Sequence, residues 1–197
     1  VLSQKLDVPI ADGVIPEFPV RIGTIYPHIP IDKSYKIDYV ALSEDRTKAI
    51  LIELKTEGMS RRDDQDKYLL ASRTVGFDAL LTGVVEIFRA TTAKRKYFAL
   101  LEALESMGLL RIPIQMKDIM ARAGLQGVVD ASRDIEVITS VTECHIVYVQ
   151  PTGSGDDIVS FADMRAVVQQ YDDRVSQRFA RSLGEWAAPA DAYAAMV

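Results

Sequence analysis

Two stretches of β-forming residues flank a short run of turn chemistry, and no other feature constrains the fold of this chain as tightly. Tyr35 to Leu42 alternates loosely, and Thr47 to Thr56 does the same around the unbroken apolar run Ala49-Ile50-Leu51-Ile52. Between them lies Ser43-Glu44-Asp45-Arg46, whose residue types favour a tight reversal. The pattern predicts a β-hairpin. Successive strand side chains point to opposite faces, so Glu53, Lys55 and Glu57 share one face while Ile50, Ile52 and Leu54 share the other. Register then becomes decisive. An even-membered loop centred between Asp45 and Arg46 pairs residues whose numbers sum to 91, which sets Asp38 across from Glu53 with Cβ atoms about 5 Å apart. An odd-membered loop would place Asp38 opposite Ile52 or Leu54, on the wrong face.

Around the hairpin, residues 1–18 read as an irregular entry or broken helix because of Pro9, Gly13 and Pro16, and Val20 to Tyr26 reads as a strand ended by the turn from Pro27 to Pro30. Ser60 is a natural N-cap for a helix over about 60–73. Apolar residues three and four apart then predict helices over 77–91 and 94–107, with a shorter one over 116–123. Two strands are expected at Ile135 to Thr139 and His145 to Gln150, followed by one long amphipathic helix over about 161–183. That helix would carry Phe161, Met164, Val168, Tyr171, Val175 and Phe179 on one face, best read as core packing. The stretch 188–193 reads as a fraying tail. The order predicts a single α/β domain over 1–197 with a small mixed sheet.

No stretch approaches the roughly 20 uninterrupted apolar residues of a membrane span, since Glu102, Glu105 and Arg111 punctuate even the apolar 97–114 region. The single cysteine, Cys144, cannot form an internal disulfide, and Val1 to Lys5 lacks the build of a secretory leader, so a cytoplasmic location is expected. A net charge of −5 argues against a protein that coats nucleic acid through bulk electrostatics. Basic residues nevertheless cluster at Arg61, Arg62, Lys67 and Arg73, and again at Lys94, Arg95 and Lys96, either as nucleic-acid contacts or as solvated helix faces.

Two carboxylates and an ammonium at one strand edge suit phosphodiester hydrolysis. Asp38 and Glu53 can bind Mg²⁺ or Mn²⁺, which polarises a phosphoryl oxygen and lowers the pKa of water, while Lys55 orients that water or neutralises developing charge. Other sets are weaker. Cys144 and His145 are adjacent on a strand and face opposite ways, His28 sits between prolines, and the Gly153-Ser154-Gly155 turn lacks the lysine and following Ser/Thr of a phosphate loop.

Asp38, fourteen residues, then Glu53-Leu54-Lys55, set in Lys36-Ile-Asp-Tyr-Val-Ala-Leu and Ala49-Ile-Leu-Ile-Glu-Leu-Lys, resembles the PD-(D/E)xK nuclease superfamily over about residues 35–73. It is most similar to the N-terminal nuclease domain of type I restriction motor subunits. The resemblance implies a restriction-endonuclease-like αβββαβ core with a helical insertion at about 76–130 and a long C-terminal helix. It implies Asp38, Glu53 and the Leu54 carbonyl as metal ligands and Lys55 as the catalytic lysine, with Gln65, Lys67 and Tyr68 as candidates on the following helix and Glu17 as an upstream glutamate. Ile37 stands where many members have proline, and Gln65 to Tyr68 is one residue shorter than the Gln-xxx-Tyr spacing of one branch. The expected activity is metal-dependent cleavage of nucleic acid, with DNA favoured, in a defence, repair or recombination setting. The expected partners are nucleic acid and either a second copy or a partner protein subunit. The alternative is a non-catalytic nucleic-acid-binding or assembly module that keeps the fold.

Overall fold

The computed structural model describes residues 1–29, 33–56, 63–122 and 124–187. A short helix α1 (Leu2–Leu6) precedes strand β1 (Ile15–Arg21) and a helical turn α2 (Ile22–Ile25). The hairpin follows as β2 (Ser34–Leu42) and β3 (Lys48–Leu54). Helices α3 (Asp63–Val75), α4 (Phe77–Ala90) and α5 (Lys94–Ser106), strand β4 (Leu110–Arg111), helices α6 (Ile114–Ala121) and α7 (Val128–Ala131), a 3₁₀ turn (Ser132–Asp134) and strand β5 (Glu136–Val137) come next. The chain closes with β6 (Glu143–Gln150), β7 (Ile158–Ser160), α8 (Phe161–Val168) and α9 (Arg174–Trp186). Ser60, Arg61, Arg62, Glu57, the Pro30 end of the expected turn and the 188–193 tail lie outside the described residues.

The main sheet is mixed and has the order β1-β2-β3-β6-β7, antiparallel through β1, β2 and β3 and parallel through β3, β6 and β7. Central β3 is buried on both faces, which explains its unbroken apolar run. Ala49 and Leu51 join the larger core with Leu69, Leu80, Leu81, Val84 and Phe88 of α3 and α4. Ile50 and Ile52 join a smaller core with Ala41, Val147 and Val159, against which Leu2, Leu6 and Met164 pack. The apolar face of β3 is therefore not the one opposite Glu53 alone, because the Glu53 side is apolar as well up to Leu51.

Several expectations shift. The first strand is Ile15–Arg21, not Val20 to Tyr26, and Pro16 and Pro19 fit because β1 is an edge strand. Residues 136–137 pair with β4 in a separate two-stranded sheet, so they add nothing to the main one. Its last member is instead the three-residue β7. The expected long C-terminal helix is two helices, α8 and α9, because Asp173 caps α9, accepting from the backbone N–H groups of Val175 and Ser176 at 2.9 Å. Gly76, with φ of 88°, turns the chain between α3 and α4 in a conformation that suits glycine. Among the described residues no single helix is long and apolar enough to cross a membrane; α3 and α4 pass only as a pair bent by 108°, and the apolar side of α4 is buried.

The hairpin holds the even register. Tyr39 pairs with Ile52, Val40 with Leu51, Ala41 with Ile50 and Leu42 with Ala49, and each pair sums to 91. Asp45 fastens the turn, accepting from Ser43 Oγ and from the backbone N and Oγ1 of Thr47. Leu51 is fully buried at the centre of β3. Leu51→Ala should lower the unfolding free energy by about 2–5 kcal/mol, read from urea titrations; a loss below about 1 kcal/mol would contradict this account of the core.

Candidate active site

The β2–β3 ladder ends at Tyr39 and Ile52, one pair short of Asp38 and Glu53. Beyond that point β2 continues along β1 only, through Ile37–Phe18 to Ser34–Arg21, while Glu53 and Leu54 pair with Tyr148 and Val149 of β6. The two strands fork, and the carboxylate of Asp38 fills the fork. Its Oδ2 accepts from the backbone N–H of Leu54 at 2.7 Å, where a strand carbonyl would otherwise accept. A strand residue presents its N–H and C=O to the same neighbour, so the Leu54 carbonyl faces the Asp38 side too.

An irregularity in β1 and β2 coincides with the fork. Ile15 and Phe18 on β1, and Ile37 and Val40 on β2, all belong to the larger core although each pair is three residues apart, a spacing regular alternation forbids. The faces exchange where Glu17 adopts a left-handed φ of 50°, a bulge-like break of the kind that re-aims a side chain beside a site.

Glu53 and Lys55 lie on the helical side of the sheet and are nearly sealed, each with a side chain 4% exposed. Lys55 Nζ donates to Glu53 Oε1 at 3.0 Å and to Gln65 Oε1 at 2.5 Å, and Gln65 Nε2 donates to Glu53 Oε1 at 2.6 Å. The Tyr68 hydroxyl donates to the Lys36 carbonyl at 3.0 Å and lies 3.4 Å from Glu53 Oε2. Gln65 and Tyr68 are one helical turn apart on α3, so the i,i+3 spacing brings both over Glu53. The register thus brings Asp38, Glu53, Leu54, Lys55, Gln65 and Tyr68 together. Lys67 is not among them; it pairs with Asp64 at 3.5 Å on the exposed side of α3. Glu17 is not either, since its carboxylate takes Lys36 Nζ at 2.7 Å on the surface.

Burial raises the pKa of Glu53 and is the largest cause; the Asp38 carboxylate adds to it, and the Lys55 and Tyr68 hydrogen bonds oppose it. The same burial and the two carboxylates raise the Tyr68 phenol, which stays a donor. Among the described residues, Lys55 is the cation bonded to Glu53. Asp38 Oδ1 accepts no hydrogen bond among the described residues, and Lys55 spends two of its three donors, leaving one free for a ligand.

Two partners went unread in the sequence. Tyr148, in register with Glu53 on β6, donates to Asp66 Oδ1 at 2.6 Å and pins the first turn of α3 to the sheet. Tyr35 stacks on Tyr68 with centroids 4.6 Å apart and planes 6° from parallel. Pattern reading offers no signal for either, because both depend on tertiary pairing of residues far apart in the chain.

The weaker sequence candidates resolve into structure. Lys94 Nζ donates to the carbonyls of Phe88 and Arg89 at the end of α4, and Arg95 donates to those of Met120 and Arg122, so two of the three cations of this cluster close helix ends. Cys144 packs against the larger core with its thiol pushed up to about 11 by burial, whereas His145 pairs with Glu143 at 3.3 Å at the surface. His28 packs edge-on against Tyr26.

No family model, curated protein or solved structure matches this chain.

A raised carboxyl pKa means that folding takes up a proton at Glu53 between the ordinary glutamate value and the raised one. That stabilising contribution is fully present below the ordinary value and is lost as pH rises through the raised one. The urea midpoint of the metal-free protein should therefore fall across this acid-side window relative to that of Glu53→Gln, which cannot titrate. Parallel pH profiles for the two proteins would contradict the assignment.

Proposed function

We propose that the fork between β2 and β3 is the catalytic centre of a metal-dependent nuclease of the PD-(D/E)xK type. One observation carries this reading: the register that sums to 91 brings Asp38 beside Glu53 and Lys55 at an unpaired strand end. The element order supports it, with three antiparallel strands, a helical crossover and a parallel strand, as the restriction-endonuclease-like αβββαβ core requires.

The donor set fits a hard divalent cation. Asp38 Oδ1 and the remaining lone pairs of Glu53 Oε2, with the Leu54 carbonyl on the same side, are all oxygen donors, as Mg²⁺ and Mn²⁺ prefer. Among the described residues no group of three or more His, Cys, Asp and Glu is gathered. Two carboxylates are nevertheless what Mg²⁺ commonly takes from a protein when substrate phosphate and water complete its shell. When bound, the cation would polarise a phosphoryl oxygen and acidify water. The chain's residues do the rest. Glu53 and Gln65 hold the Lys55 ammonium in one place, and its third N–H can point at a non-bridging oxygen whose charge grows in the transition state. Tyr68 steadies the far oxygen of Glu53, and Asp38 ties its own position to the backbone of β3. Burial of the pair strengthens each of these interactions.

DNA is the favoured substrate class. Incubation with single- and double-stranded DNA and RNA in Mg²⁺ or Mn²⁺ should give cleavage that EDTA abolishes. Lys55→Ala should reduce the cleavage rate by about 10²–10⁴-fold. Cleavage that survives Lys55→Ala would remove this site from consideration, and nucleic-acid binding without turnover would favour the non-catalytic module instead.

A further inference from the structure

Helix α9 departs from the core-packing role its apolar pattern predicts. Only Ala180 and Leu183 are buried, while Val175 is 77%, Phe179 39% and Trp186 57% exposed. These three lie at i, i+4 and i+11, one stripe along the helix. Arg174, Arg178 and Arg181 form a second stripe at i, i+4 and i+7, about 100° around the helix from the first. All three arginines are exposed, and none makes a salt bridge or hydrogen bond among the described residues. Glu185 ends their row one turn further on, and Asp173 at the helix start is engaged as the cap. Between the two stripes runs a groove of about 390 Å³ lined by Arg174, Val175, Arg178, Phe179 and Ser182. The Trp186 ring is steadied edge-on by Phe161, with centroids 6.5 Å apart.

A row of arginines beside a row of aromatic residues matches a strand whose phosphates run along one edge and whose bases are free along the other. A duplex offers the phosphates but keeps its bases stacked. We propose that this face of α9 docks single-stranded nucleic acid, with phosphates on Arg174, Arg178 and Arg181 and bases against Phe179 and Trp186. The choice of ligand rests on the nuclease reading, and it gives a chain of net charge −5 the local positive surface that a polyanionic substrate needs. This face of α9 lies beyond the smaller core, against which Met164 of α8 packs, and Trp186 lies by Phe161, which follows the edge strand β7; that strand begins level with Glu53 of central β3, through the pairs Ile158–Tyr148 and Tyr148–Glu53.

Trp186 is the sole tryptophan of the chain, so its emission reports this face alone. The full chain in EDTA would be titrated with oligodeoxythymidine, with a blunt duplex of equal charge and with phosphatidylglycerol vesicles, following Trp186 emission and the anisotropy of labelled DNA. Saturable quenching by the single strand, weaker for the duplex, is expected. Phe179→Ala should weaken single-strand binding about tenfold, and Arg174→Gln, Arg178→Gln and Arg181→Gln together should make the salt dependence shallower by about 2 in log K against log salt. Unchanged Trp186 emission on strand binding, a triple variant that binds as the parent does, or a response to vesicles alone would overturn the proposal. Cleavage in Mg²⁺ with a silent Trp186 would remove the docking face and leave the nuclease reading standing. Quenching without cleavage would do the reverse.

Discussion

Burying a carboxylate and an ammonium side by side costs more in lost hydration than a simple ion pair usually returns, and this chain does so at the end of its central strand. Glu53 and Lys55 persist there because Gln65 bonds to both, Tyr68 approaches the second carboxylate oxygen, and Tyr148 and Asp66 hold α3 down over them. Remove any one partner and a buried charge loses compensation. The placement of α3 over the end of β3 supplies those partners, and Tyr148 of β6 anchors the helix there through Asp66.

The fork follows from the same constraint. Were the β2–β3 ladder to continue, Asp38 would be an ordinary strand residue and Leu54 would donate to a carbonyl. Instead the carboxylate takes that N–H, and the strand faces exchange at Glu17 and Asp38. A site of this kind sits where regular pairing stops, because backbone and side-chain oxygens then converge without a neighbouring strand between them. Burial, and after it the neighbouring Asp38 carboxylate, raise the Glu53 carboxyl against the opposing pull of Lys55.

The hairpin was the most legible part of the sequence because its information is local: Ser43, Asp45 and Thr47 close the turn among themselves, and the turn fixes the register that selects the site residues. Gln65 and Tyr68 came into view only through the family resemblance, together with Lys67; the structure brings the first two to Glu53 and leaves Lys67 on the exposed side of α3. What escaped depended on partners far away in the chain. The β1 prolines read as breakers until the strand's edge position makes them harmless. The three residues of β7 are too few to show a period. The apolar period across residues 161–183 runs through the Asp173 cap unbroken, so pattern alone merged two helices and assigned Val175 and Phe179 to a core they do not reach.

The central claim is that the fork gathers oxygen ligands for one divalent cation. Crystals grown with Mn²⁺ and measured at its absorption edge test this directly. The account predicts one strong anomalous peak between the Asp38 and Glu53 carboxylates and beside the Leu54 carbonyl, absent from crystals of Asp38→Asn. A peak elsewhere, or none while Glu53 stays closed on Lys55 and Gln65, would contradict it.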